Sequence, residues 1–500
     1  MSEQGCIANQ GFDSTIDCLF GKMADVAEGI VFYSKDFTLT SADGTVSEHT
    51  LPFIIVWLAA ASIFFTLYLG FANFRYFKHA CQVVTGKFDK KNEKGEVSSF
   101  QALSASLSGT VGLGNIAGVA IAISLGGPGA VVWMTIMGLM GMNTKFAEVM
   151  LGVKYREHHN PDEPKSFSGG PMYYLKQAFV KRKMPEVGTI VAIFFALCCI
   201  GGAFGAGNMF QANQAYGQIV SITGGEASYF ADKGWLVGVV IAIFAGLVIL
   251  GGLKSIAGVA SRLVPLMGGI YLLAGLIVIG MNYDKIGPAF VTIFNDAFTP
   301  AAGIGGLVGG LLVGVQRASF SNEAGLGSAA IVHAAAKTNY PVRQGFVGML
   351  GPLVDTVLIC NVTALVIVVT GVYQSTDGMQ GVEMTSLAFG DAISWFPYIL
   401  TLTVILFAFS TIITWYYYGE KALGYIVGEK KSVIIGMKVV FLFAIILGAS
   451  AELRNVIRFT DAMILSMGIP NIIGLYMLAP EIKKDLKAYT KKFLAKPAKK

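Results

Sequence analysis

Ser108, Thr110 and Asn115 stand within a stretch, Ser106–Gly118 (SLSGTVGLGNIAG), in which five of thirteen positions are glycine or asparagine. Each glycine costs a helix about 1 kcal/mol relative to alanine, so the stretch predicts a helix that is interrupted partway. An interruption frees peptide groups. The N-terminal amides of a half-helix attract a carboxylate, and loose carbonyls and hydroxyls coordinate a hard cation. The lining offers glycine amides, two hydroxyls and one carboxamide, but no charged side chain. A zwitterion with a small side chain, accompanied by an alkali cation, suits it; a large anion or nucleotide would call for arginines. A further wall is expected from Phe407–Gly419 (FAFSTIITWYYYG), where Ser410 and Thr411 bring adjacent hydroxyls and Trp415 follows Thr411 by one turn on the same face. Taken alone, such hydroxyls bond back to the i−4 carbonyl. Tyr417 and Tyr418 are expected in an interfacial aromatic belt.

The elements that position these residues follow from composition. Hydrophobic residues make up 54% of the 500 and charged residues 14%, with a mean hydropathy of +0.62. Soluble domains carry about 25% charged residues, so the chain is expected in a bilayer. Runs of roughly 20 apolar residues, each long enough to cross, recur throughout. Eleven spans are expected near 51–73, 101–125, 129–153, 188–222, 235–253, 258–281, 301–320, 343–372, 393–419, 432–451 and 457–479. The fold class is therefore all-α integral membrane protein, with an acidic extracytoplasmic segment at 1–50, a transporter-sized membrane domain at 51–480 and a basic tail at 481–500. Within 1–50 a short amphipathic helix is expected near 17–31 and a hairpin near 38–50. If the first fifty residues lie outside, six of the thirty-seven lysines and arginines face outward: Lys22, Lys35, Lys233, Lys285, Arg454 and Arg458. The excess on the other side, including eight lysines in the tail, places the N-terminus outside and the C-terminus in the cytoplasm. The same clustering at span ends argues against nucleic acid as a partner of the net +6 chain.

Interrupted spans come in pairs in transporters built from inverted repeats. Ala301–Gly314 (AAGIGGLVGGLLVG) is the expected partner of the opening stretch. With the first span set aside, the two are the first and sixth of ten spans and run in opposite directions. The alternative is close helix packing over small residues. Asp355, deep in the eighth span, is a gating or coupling candidate, or else a structural hydrogen-bond acceptor for Asn361 or a broken-helix amide. Arg317 and Glu323, at the inner end of the seventh span, are expected to build an intracellular gate, and Lys145 and Glu148 to serve alike. Cys6 and Cys18 could form a disulfide; the other four cysteines are expected to be inert thiols. His158 and His159 lack the company of a metal site.

The chain resembles the alanine or glycine:cation symporter family (sodium:alanine symporters) over nearly all of Leu51–Pro480. The motifs that carry the resemblance are GTVGLGNIAGVA at 109–120, GGPGAVVW at 126–133, GMNTKFAEV at 141–149 and GGPMYYL at 169–175, followed by GNMFQAN at 207–213, RASFSNEAGLGSA at 317–329, PVRQG at 341–345 and FSTIITWYYYGEKAL at 409–423. The resemblance implies a leucine-transporter-type fold with one extra N-terminal helix before a five-plus-five inverted repeat containing two broken helices. It implies a sodium site made by the carbonyls of Ser108, Val111 and Phe407 with the hydroxyls of Ser410 and Thr411. It also implies a substrate carboxylate held by amides near Thr110–Gly114, among Gly109, Thr110, Gly112 and Gly114, with Trp415 closing the side-chain pocket. Asn208 and Gln211 are implied polar contacts, although helix–helix hydrogen bonds explain them equally. Gly305-Gly306-Leu307 departs from the family's usual Gly-Gly-Phe. If Leu307 lines the pocket, the loss of an aromatic wall changes shape selectivity, by roughly 1–3 kcal/mol per methylene.

The expected function is sodium-coupled uptake of a small neutral amino acid, alanine or glycine, by a multi-pass monomer in the bacterial inner membrane. Proton coupling and a preference for glutamine are the alternatives, and a passive channel is the rival from another class. An enzyme is not expected, because no adjacent spans hold a nucleophilic or metal-ligating cluster.

Overall fold

A helix forms at each of the eleven expected positions. The computed structural model describes Lys22, Asp25, Gly29 and residues 32–40, 46–89, 93–158, 167–298, 303–374, 381–428 and 430–494, without the side chains of 35–50 and 303–308. Cys6, Cys18, His159 and most of the expected 17–31 helix lie outside the described residues. The chain enters through a hairpin, β1 (Ser34–Thr40) and β2 (Val46–Pro52), paired antiparallel with Ser34 opposite Pro52. The hairpin is the one departure from an all-α architecture among the described residues.

The main helices are α1 (Phe53–Tyr68), α2 (Phe77–Val84), α3 (Ser99–Thr110), α4 (Ala117–Gly126), α5 (Ala130–Lys154) and α6 (Pro171–Val180). They continue as α7 (Pro185–Ile222), α8 (Gly234–Ile249), α9 (Gly252–Met281), α10 (Ile286–Phe298), α11 (Gly303–Asn322) and α12 (Ser328–His333). The last are α13 (Pro341–Thr370), α14 (Val382–Ala392), α15 (Phe396–Val427), α16 (Lys431–Ser450) and α17 (Leu453–Phe493). Six of these, α7, α9, α13, α15, α16 and α17, are long and apolar enough to cross a membrane; α3 and α4, taken as one bent span, make a seventh.

The first broken helix lies where its glycines predict. Ser98 and Gln101 close a capping box at the start of α3. The helix stops at Thr110, and the chain resumes as α4 at an angle of 58°.

The second break is not at Ala301–Gly314. From Gly303 to Asn322 the backbone is one continuous helix, and the chain breaks at Glu323–Gly327, where Glu323, Gly325 and Gly327 have φ of 55°, 93° and 83°. Gly310 and Gly314 of α11 serve close packing instead. A Cβ on Gly310 would lie 3.0 Å from the Gly126 carbonyl oxygen, and one on Gly314 would lie 2.6 Å from that of Ala130. Small residues let α11 approach α4 and α5 at backbone distance.

Two further local departures shape the interior. Within α7, residues Gly205–Met209 form a π-helical turn, and a Cβ on Gly207 would fall 2.1 Å from the Cβ and Cγ of Trp415. Residues Leu353–Cys360 of α13 are likewise π-helical. Such wide turns re-aim side chains and free carbonyls, and they cluster at functional sites.

At the hairpin's opposite end of the bundle, the segments that lead into α3 and out of α12 are zipped together by peptide groups. Glu96 N donates to Ala335 O at 2.8 Å, Lys337 N to Val97 O at 2.8 Å, and Thr338 N to Lys94 O at 3.1 Å. Arg156 clamps the zipper by donating to the carbonyls of Lys94, Ala334, Ala336 and Thr338. Burial pulls its guanidinium down to about 10, which leaves it charged at neutral pH.

Candidate functional site

The end of α3 frees the carbonyls of its last turn, and α15 meets them. The Thr411 hydroxyl donates to the Ser108 carbonyl at 3.0 Å, and Trp415 Nε1 donates to the Gly109 carbonyl at 3.1 Å. In return the Ser108 hydroxyl donates to the Ser410 carbonyl at 2.7 Å, while the Ser410 hydroxyl donates to the Phe407 carbonyl at 3.1 Å. Ser108, Val111, Phe407, Ser410 and Thr411 are all buried, so this seam between α3 and α15 is an oxygen-rich contact cut off from water. Only glycine fits opposite Thr411: a Cβ on Gly112 would lie 2.5 Å from its Oγ1.

The amides released by the break are held by side-chain oxygens. Gly112 N donates to Asn115 Oδ1 at 2.9 Å, and Leu113 N to Gln211 Oε1 at 3.2 Å. Gln211 is itself fixed by its amide, which donates at 2.9 Å to Ala206 O in the π-turn of α7. Thr110 bonds back weakly to Ser106 and Leu107 carbonyls at 3.4 Å. Gly109 packs on Thr414 and Tyr418, and Gly114 on the Phe320 ring. Asn208 turns away from the break and donates to the Phe441 carbonyl of α16 at 2.7 Å. The side chain of Leu307 and the surroundings of Gly306 lie outside the described residues. Tyr417 and Tyr418 are not in an interfacial belt: both are buried, and Tyr418 meets Trp415 edge-on with ring centroids 5.2 Å apart. Tyr418 packs on the broken helix, its ring beside Gly109.

A second constellation surrounds Glu323–Gly327. Lys145 Nζ donates to the Glu323 carbonyl at 2.9 Å and lies 3.9 Å from Glu148 Oε2. Asn471 donates to Glu148 Oε1 and to the Gly325 carbonyl, both at 2.8 Å, and accepts from Tyr174. The Glu323 carboxylate takes the Ser328 hydroxyl. Arg317 is not part of this cluster. It pairs with Asp461 of α17, which also accepts from Gln316 at 2.9 Å. The pair lines a cavity of about 880 Å³ shared with Asn213, Glu383, Arg454 and Arg458, on the side of the bundle where the hairpin lies, since Asp461 and Arg458 also border Ser34 and Pro52. Arg317 therefore lies apart from Glu323, because the break falls after it and leaves Arg317 on the N-terminal half of the broken helix. Asp461 and Asn471 escaped the sequence reading, although the rule that singled out Asp355, a polar side chain deep in an apolar span, applies to both.

Asp355 connects the two regions: its carboxylate accepts from Asn115 Nδ2 at 2.6 Å and from the Ser321 hydroxyl at 2.6 Å. Asn361 is elsewhere, bonded to Thr135 at 2.8 Å. Among the described residues, which include His158 but not His159, no three His, Cys, Asp or Glu side chains gather to hold a metal.

The model of the Sodium:alanine symporter family matches residues 36–500 of this chain. The chain belongs to that family. It is 40% identical to "Sodium/alanine symporter AgcS" of Methanococcus maripaludis over 443 residues, which cover 88% of this chain and 94% of that one. It is 34% identical to "Amino-acid carrier protein AlsT" of Bacillus subtilis, covering 89% of this chain and 91% of that one. "Probable sodium/glutamine symporter GlnT" of the same organism is 33% identical, over 88% of each. As a member of the sodium:alanine symporter family with several helices able to cross a bilayer, it is a multi-pass membrane transporter.

Proposed function

We propose that this chain takes up alanine or glycine together with sodium by alternating access, as a monomer with its N-terminus outside the cytoplasmic membrane. The observation that carries the reading is the seam between the end of α3 and α15, where Ser108, Phe407, Ser410 and Thr411 oxygens converge beside freed amides. This donor set is all oxygen and uncharged, which fits a hard monovalent cation. The carbonyls of Ser108, Val111 and Phe407 and the hydroxyls of Ser410 and Thr411 hold sodium. The amides of Gly112 and Leu113 receive the substrate carboxylate, whose oxygens take the place now filled by Asn115 Oδ1 and Gln211 Oε1. Thr110 and Gly114 edge this cradle, and Trp415 walls the side-chain pocket. Arg317 with Asp461 gates the face that carries the 880 Å³ cavity, and Glu323 with Lys145 and Glu148 the other.

A second reading, glutamine as substrate, is favoured by Leu307 in place of an aromatic residue and by the likeness to a protein named for glutamine. Protein in liposomes should accumulate radiolabelled alanine against its gradient only with an inward sodium gradient. Equal flux under sodium, potassium and pH gradients refutes cation coupling. A competition panel of glycine, D-alanine and glutamine ranks the substrates.

A further inference from the structure

Asp355 is wholly buried, and its two carboxylate oxygens take donors from different broken helices, whose Asn115 and Ser321 also touch each other at 3.1 Å. Oδ1 accepts from Asn115, three residues past Gly112 in the first break; Oδ2 accepts from Ser321, two residues before Glu323 in the second, and from Thr356 at 2.8 Å. Each contact continues into a break. Asn115 uses its own oxygen to hold the Gly112 amide at 2.9 Å. Next to Ser321, Asn322 donates to Thr356 Oγ1 at 2.9 Å. The π-helical turn at 353–360 brings Asp355 and Thr356 to bear on both broken helices from one backbone segment. A carboxylate suits this place because it only accepts, so it can take donors from both sides at once. A side chain that merely satisfied a neighbouring span would tie one helix.

We propose that Asp355 is a positioning residue that yokes the two broken helices, so that the ligand cradle on the first and the hinge at Glu323–Gly327 on the second change conformation together. This rests on the transport reading above. The yoke is a bridge, not a charge. An asparagine at 355 keeps both links, since its oxygen accepts from Asn115 and its amide donates to the Ser321 hydroxyl. An alanine keeps neither carboxylate link, leaving only the Asn115 bonds to the main-chain carbonyl of position 355 and to the Ser321 hydroxyl, each at 3.1 Å.

The test is the maximal rate of alanine uptake in liposomes for wild type, Asp355→Ala, Asp355→Asn, Ser321→Ala and the Asp355→Ala/Ser321→Ala pair, with thermal unfolding as the control for folding. Because contacting residues of one network do not act additively, Asp355→Ala should lower the rate about tenfold or more and Ser321→Ala about threefold or more, and the pair should be no slower than Asp355→Ala. Asp355→Asn should restore the rate to within about threefold of wild type, the rescue expected when hydrogen-bond geometry is kept. An Asp355→Ala rate within about twofold of wild type, an additive pair, or an asparagine variant as slow as the alanine one overturns the proposal. If Asp355→Ala does not fold, Asp355→Asn carries the test alone: a rate within about threefold of wild type upholds the bridge, and a slower one overturns the proposal. If wild type takes up no amino acid, the transport reading fails and this one with it. Uptake by wild type with additive variants fails this one alone.

Discussion

Replacing Thr411 with valine isolates one hydroxyl at the seam between the broken helix and α15. The two side chains have nearly the same shape, and Thr411 is buried, so packing is kept. What is lost is the donor to the Ser108 carbonyl, 3.0 Å away, and with it one oxygen of the proposed cation site. A buried polar group left without its partner costs about 1–3 kcal/mol. If that loss falls on the sodium-bound state, the half-saturating sodium concentration rises about 5- to 150-fold, at 1.4 kcal/mol per factor of ten. The assay is initial alanine uptake into liposomes over a sodium series, with choline holding ionic strength constant. Trp415→Phe is the comparator. It removes the Nε1 donor to Gly109 and trims the ring, so it should alter the ranking of competing amino acids while moving the sodium requirement less. A folded Thr411→Val protein whose sodium requirement stays within about twofold of wild type refutes the placement of the cation, since even the low end of the penalty exceeds that.

Gly207→Ala should lower the unfolding temperature and abolish uptake, because its new methyl group lands on Trp415 and overpacking costs about 1–3 kcal/mol; unchanged melting refutes the packing described for the π-turn. Arg317→Ala or Asp461→Ala alone should destabilise the protein by about 3–5 kcal/mol, since each strands a buried charge, while the double change should cost less than the sum. Additive melting shifts would show that the two residues do not depend on each other. His79, on α2, lies 3.0 Å from the Tyr489 hydroxyl, and burial, aided by the charge of Arg343, lowers its pKa from the ordinary 6.5. The unfolded chain then binds the extra proton first, so this contribution to stability is full above pH 6.5 and falls as the pH drops below it. His79→Gln should flatten the melting temperature between about pH 5 and 7 relative to wild type, the range in which an unperturbed histidine takes up its proton; parallel curves refute the assignment.

The first break was legible because four glycines and an asparagine fall within thirteen residues around it. The second was not, because glycine has two uses in a membrane helix and composition does not separate them. In Ala301–Gly314 it permits contact with Gly126 and Ala130; the chain breaks instead at an acidic loop whose φ values need Gly325 and Gly327. Glu323 and Arg317 were singled out by charge, yet their sides of the molecule depend on where the helix stops. Helix α10 was missed within a stretch read as a connection, although its buried Ala289, Ile293 and Ala297 recur every fourth residue. Gln211 and Asn208 were paired in the sequence reading as implied contacts. The fold separates them, because only Gln211 faces the break.

The bonds across the zipper between residues 94–97 and 335–338 run peptide to peptide, with the Arg156 guanidinium clamping them from the side. The exposed Lys337 is therefore free to vary without loosening it, and a screen of substitutions there should return mostly tolerated residues, proline excepted for want of the donor, whereas Val97, Ala335, Ala336 and Thr338 are buried and held by packing as well. Gly95 is the exception on the other strand of chain. Its φ of 140° and a Cβ that would sit 2.4 Å from the Ala336 carbonyl bar every other residue. A junction that ties the lead into α3 to the exit from α12 thus takes its register from the backbone, with Gly95 and the buried side chains as its fixed points.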